Sequence, residues 1–174
     1  MRPLDLSRKI LAREQLGGVR CRHADERLVF CSGCFDVFHA GHAVFFNQCA
    51  ALGDVLVVGV ARDSTMRTLK GKNRPINPEP NRMYLVANIQ AVDYVLQNDE
   101  FEDNSDEIEI LKELRPDIFA VTENDERAIK SEAGICRQLG IQMVFLPRDV
   151  PEGLILSSTS EIIGKPHQPS GGKK

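Results

Sequence analysis

Two histidines three residues apart, His39 and His42, stand in the segment Gly33-Cys34-Phe35-Asp36-Val37-Phe38-His39-Ala40-Gly41-His42. In a helical turn that spacing puts both rings on one face, where both can reach one phosphate. Gly41 between them leaves space for close approach, and Gly33 lets the backbone turn tightly. The first N–H groups of a helix lack helical partners and favour bound anions, so a helix beginning here would suit phosphate. Asp36 either helps to hold Mg²⁺ or braces the loop by accepting backbone N–H bonds, the second being favoured. Cys31-Ser32-Gly33-Cys34 has CxxC spacing, but without a second pair or a flanking histidine ligand set no protein-bound metal is expected, and Cys31 is assigned to the core.

The elements around this segment must place it at the edge of a sheet. Leu28-Val29-Phe30-Cys31 is a short apolar run stopped by Ser32-Gly33, the pattern of a buried strand, and Val44, Phe45, Ala51 and Leu52 recur at helical spacing before Gly53. Val55 to Val60 is apolar and β-branched, as in a central parallel strand. Further strands are expected at Tyr94-Val95-Leu96, Ile118 to Val121 and Met143 to Leu146, with helices over Arg82–Ala91, opened by Asn77 as N-cap, and over Arg127–Leu139. The predicted fold is α/β, a Rossmann-like three-layer arrangement with a five-stranded parallel sheet, which binds ligands at the strand C-termini. Residues 1–27 are expected to form a leading helix and loop (the helix within Leu6–Leu16) packed on the domain, 28–165 the domain itself, and 166–174 a disordered tail.

The 174 residues fit one domain with a proper core. A net charge of −3, two tyrosines and no tryptophan exclude a nucleic-acid binder working through basicity or an aromatic platform. The apolar stretches are too short to cross a bilayer, and an odd count of five cysteines with no signal segment points to a reduced, cytoplasmic protein. The acid-rich stretch Asp99–Glu113 is assigned to a solvated loop and helix face. Arg62, Arg67, Lys70, Lys72 and Arg74 form a basic stretch opposed only by Asp63, expected as a loop.

The Gly33–His42 stretch, a GxFDxxHxGH pattern, resembles the cytidylyltransferase-like nucleotidyltransferases. The resemblance extends through Leu52-Gly53-Asp54, Arg62-Asp63-Ser64, Lys70 to Pro78, Ala91 to Val95, Leu114 to Asp117 and the late Pro147-Arg148 and Ser158-Thr159-Ser160. Within the family the chain looks most similar to the adenylyltransferase domain that makes ADP-heptose, then to glycerol-3-phosphate cytidylyltransferase. This implies ATP or CTP as donor, a phosphorylated small molecule as acceptor, Mg²⁺ held mainly by the nucleotide, and a homodimer. It also implies catalytic roles for His39, His42, Lys70, Lys72 and Arg82. Gly33, Cys34, Phe35, Asp36, Gly41, His42, Asn124, Arg148, Ser158 and Thr159 would bind the nucleotide.

The chain departs from the pattern in two places. Thr122-Glu123-Asn124-Asp125 replaces a Gly-rich acidic turn, with Asn124 where relatives carry Asp, and Leu154-Ile155-Leu156 lengthens the closing loop. A second class of function, a nucleotide-binding scaffold without turnover, is compatible with the altered turn. The intact His39, His42, Lys70 and Arg82 count against it.

Overall fold

The computed structural model describes residues 6–98, 105–123, 132–148, 151–154 and 159–164. Six strands form one sheet: β1 (Ile10–Leu11), β2 (Leu28–Gly33), β3 (Val55–Ala61), β4 (Tyr94–Asn98), β5 (Ile118–Thr122) and β6 (Gln142–Leu146). Their order is β1-β4-β3-β2-β5-β6, and every pairing is parallel. The helices are α1 (Leu16–Arg22), α2 (Ala40–Ala50), α3 (Asp63–Lys70), α4 (Glu79–Ala87), α5 (Ser105–Leu114), α6 (Ala133–Leu139) and α7 (Thr159–Gly164).

The expected α/β class holds, with four corrections. The sheet has six strands rather than five, because Ile10 and Leu11 pair with Val95 and Leu96 at its edge. Two residues are too few to show alternation, and Ile10 and Leu11 also fit the weak helical period of Leu6–Leu16. The leading helix lies later, at Leu16–Arg22, where Leu16 and Val19 are fully buried. The basic stretch is largely helix α3 rather than loop, with Asp63 in its first turn and Arg67 and Lys70 in its last, the charge order that complements a helix dipole. Helix α4 is also shifted: Pro78, not Asn77, is its N-cap.

All seven residues of β3 are buried. Leu56, Val58 and Val60 face the layer holding Phe46 and Cys49 of α2 and Met83, Val86 and Ala87 of α4. Val55 and Val57 face the opposite layer, with Leu16 and Val19 of α1, Ile110, Leu111 and Leu114 of α5 and Cys136 of α6. Period-2 alternation thus feeds two cores, and burial on both faces explains the continuous apolar run.

Register at the entry edge is fixed by three aspartates. Asp54, Asp117 and Asp93 accept the backbone N–H of Arg27, Leu28 and Leu56 at 2.8, 2.8 and 2.9 Å. Gly53 must be glycine, since a Cβ there would stand 2.5 Å from the Arg27 carbonyl oxygen. These contacts set how far each strand runs, and hence where its exit loop lies. Between β2 and β5 the strand order reverses direction, which opens the crevice at their C-terminal ends. Among the described residues no helix is long and apolar enough to cross a membrane.

Candidate active site

The loop leaving β2 enters that crevice in a strained conformation. Phe35 and Val37 hold positive φ angles, +48° and +39°, unfavourable for residues with a Cβ. Phe35 folds back over Gly33, where a Cβ would lie 2.9 Å from its ring, and packs on Phe46 with centroids 4.8 Å apart. The glycine is therefore needed for close approach rather than for the turn, which Phe35 and Val37 make after the strand has ended at Gly33.

Asp36 supplies the compensation. Its carboxylate, 1% exposed, accepts the N–H groups of Val37, Ile76 and Asn77 at 3.1, 3.0 and 2.9 Å and pairs with Arg74 at 3.0 Å. It braces the loop, as favoured above, and joins it to the segment after α3. A carboxylate committed to four donors is a poor ligand for a metal ion.

The loop delivers His39 as the N-cap of α2, without a side-chain capping bond, and His42 N–H donates to the His39 carbonyl at 3.0 Å. The two rings are stacked, with centroids 3.8 Å apart and planes 22° apart, so the three-residue spacing does place them together. Phe35 meets His42 edge-on, and Phe38 lies against it, each at 5.4 Å. Nδ1 of each histidine is buried without a hydrogen-bond partner.

Burial lowers the pKa of His39. His42 falls to about 4, through burial first, then the neighbouring His39, then Lys70. Both rings are thus neutral at pH 7, and the Lys70 field reaches the pair from the end of α3. Two ring nitrogens without protein partners, at the N-terminus of an eleven-residue helix and within the field of Lys70, form a site suited to an anion.

The depressed pKa values set a direction for stability. As pH falls from the ordinary histidine value of 6.5, the unfolded chain takes up protons that folded His42 refuses until about pH 4, so stability present above pH 6.5 is lost across that window. For a partly exposed ring the loss is on the order of 2 kcal/mol by pH 4. The expected outcome is that His42→Gln melts less acid-sensitively than the natural protein, narrowing the difference in Tm between pH 7 and pH 4.5 by about 5 °C. Parallel pH dependences would refute a His42 that stays neutral in the folded protein down to about pH 4.

Arg82 requires correction. Expected at the phosphate, it is fully buried, and its guanidinium is spent on the protein. Nε donates to the Asn77 carbonyl at 3.0 Å, Nη1 to the Cys34 carbonyl, and Nη2 to the Ala61 carbonyl at 2.6 Å and to Asp63 at 2.8 Å. It ties the histidine loop, the end of β3 and the start of α4 together instead of facing the pocket. Asp63, the lone acid opposing the basic stretch in sequence, is its partner and also accepts the Glu79 N–H at 2.9 Å.

Lys70 and Lys72 are exposed, Lys70 as the last residue of α3 and Lys72 two residues on. Cys34 is half-buried in the loop after β2. Cys31 is in the core against Cys49, its thiol pKa pushed well up by burial first. Across the crevice, Arg148 after β6 is exposed, with Nη2 3.5 Å from the Thr122 hydroxyl at the end of β5, and Thr159 opens α7. Asn124 and Ser158 lie outside the described residues, as do 127–131 of the helix expected over Arg127–Leu139 and the 166–174 tail. Arg74 was not singled out as a site residue, because one arginine in a run of cations carries no mark of its buried acidic partner.

A doubly covered parallel sheet with this histidine loop at its switch point fits an α/β nucleotidyltransferase. The chain belongs to the Cytidylyltransferase-like family, which it matches over residues 30–163. It is similar to the Bifunctional protein HldE of Nitratiruptor sp. (46% identical over 94 residues, 54% of this chain and 20% of the relative) and to that of Campylobacter curvus (38% over 115 residues, 66% and 24%). The chain therefore spans only 20–24% of these relatives' length. Among solved structures, a lipopolysaccharide core biosynthesis protein from Thermoplasma volcanium is 31% identical, with a TM-score of 0.55 over 70% of this chain and 95% of that one. A pantoate-beta-alanine ligase from Francisella tularensis, 14% identical with a TM-score of 0.60 over 86% of this chain and 70% of that one, shares the fold alone.

Proposed function

We propose that the protein transfers AMP from ATP, or CMP from CTP, to the phosphate of a sugar or polyol phosphate, with heptose 1-phosphate and ATP as the leading pair. The observation that carries this reading is the stacked, neutral His39–His42 pair with two unpartnered ring nitrogens at the start of α2. An acceptor phosphate oxygen attacks the α-phosphorus, a new P–O bond forms, and the bond to pyrophosphate breaks. No histidine nucleophile is needed. The imidazoles donate hydrogen bonds to the α-phosphate oxygens as negative charge builds, while the loops hold the reactants in line. Lys70 and Lys72 bring positive charge to the acceptor side. A Mg²⁺ ion would be held mainly by nucleotide oxygens, since Asp36 is committed to the protein, and would supply neutralisation of phosphate charge. The sugar-phosphate acceptor is supported by the similarity to the Bifunctional protein HldE and to the core biosynthesis protein.

The test is pyrophosphate release from ATP and CTP against a panel of phosphorylated sugars, polyols, phosphonates and flavin mononucleotide. Turnover with a heptose or related sugar phosphate is expected. Absence of release across the panel, with nucleotide binding intact by calorimetry, would instead favour the scaffold reading. Lys72→Ala should raise the acceptor KM about tenfold and the nucleotide KM much less, since a lost ion pair to a phosphate is worth roughly 1–2 kcal/mol. Selective loss of nucleotide affinity would move Lys72 to the triphosphate.

A further inference from the structure

We propose that Arg74 is a positioning residue for the acceptor phosphate: by pairing with Asp36 it fixes the turn that carries Lys72 and locks it to the histidine loop. This rests on the proposed function, and goes beyond it by naming how the basic segment and the histidine loop are joined.

Gly71, with φ +93°, ends α3 by donating its N–H to the Arg67 carbonyl at 3.1 Å. The Arg74 N–H then returns to the Gly71 carbonyl at 3.0 Å, closing a turn with Lys72 and Asn73 at its exposed tip. A β-turn of this kind is weak on its own, and its anchors are at its ends. The anchor on the far side is Asp36, which takes the Arg74 guanidinium at 3.0 Å and the Ile76 and Asn77 N–H groups immediately after it. Both side chains of the pair are largely out of water, 14% and 1% exposed. Arg74 Nε is buried with no partner, so the Nη2–Asp36 contact is what holds the guanidinium.

Charge supplies the second reason. Lys70, Lys72 and Arg74 alternate along five residues, and three like charges in so short a segment would splay it. Asp36 neutralises Arg74 and leaves the two lysines for the ligand. The acidic group of the histidine loop therefore acts at a distance on the acceptor side, through Arg74.

Acceptor kinetics of Arg74→Gln, Lys72→Ala and the double variant test the role. Arg74→Gln should raise the acceptor KM about tenfold with less than about a twofold change in nucleotide KM, and should add less than about twofold in the Lys72→Ala background, because both act through one contact. Arg74→Lys, which retains a charge for Asp36 and guards against loss of folding, should restore the acceptor KM to within about threefold. Additive effects, or equal loss of both substrates, would overturn the proposal. Amide hydrogen exchange separates its failure from that of the proposed function. Even if no acceptor is turned over, Arg74→Gln should speed exchange at Ile76 and Asn77 about tenfold relative to the amides of β3, and unchanged exchange there overturns the tie.

Discussion

Replacing His39 or His42 with alanine is expected to lower kcat by about two orders of magnitude or more, the usual effect of deleting a donor to a developing oxyanion. Because the rings are stacked 3.8 Å apart and share one environment, the double variant should lose little more than either single one. Stability should move differently. Each ring buries an Nδ1 with no partner, and such a group costs about 1–3 kcal/mol in the ligand-free protein. His42→Met, which keeps contact with Phe35 and Phe38 but removes the orphaned nitrogen, should therefore melt at the same temperature as the natural protein or higher, while losing turnover. Thermal melts and pyrophosphate release on the same preparations decide it. Near-normal turnover in a folded double variant would remove the histidines from the chemistry, and a large fall in Tm for His42→Met would make the ring a packing element instead.

What could be read from sequence follows from what each element exposes to inspection. β2, β3, β5 and β6 announce themselves as apolar runs because they are covered on both sides or lie next to strands that are. β1 does not, since Ile10 and Leu11 offer no period and become a strand only by pairing with β4. α3 was hidden for the opposite reason: its charges suggested a solvated loop, whereas Thr65 and Met66 on its inner side are buried. The histidine pair was legible because a helical turn fixes the relative direction of residues three apart. The positions of Asp36, Arg74 and Arg82 were less so, because a one-dimensional sequence gives the sign of a charge but not its depth. Asp36 and Arg74 lie 38 positions apart and meet only once two exit loops have been laid side by side.

Arg82 shows how far depth changes the expected phenotype. A phosphate ligand at the pocket wall would, when removed, weaken one substrate and leave the fold alone. The buried Arg82 instead satisfies the carbonyls of Cys34, Ala61 and Asn77 and the carboxylate of Asp63. Arg82→Ala leaves these acceptors in place with their donor gone, including a carboxylate only 26% exposed, and the loss of one partner from such a pair costs about 3–5 kcal/mol. For a domain of this size that corresponds to a fall in Tm of roughly 6–20 °C. Lysine should not rescue it, because a single ammonium cannot span acceptors that a planar guanidinium reaches from opposite edges. Since those acceptors belong to the histidine loop, the end of β3 and the approach to α4, the folded fraction of Arg82→Lys should show a lower kcat together with raised KM values for both substrates. Differential scanning calorimetry with two-substrate kinetics separates the alternatives. A variant that keeps its Tm within a few degrees and loses acceptor affinity alone would mean that Arg82 leaves its carbonyls to grip the phosphate during turnover, and that the burial seen here is not its working position.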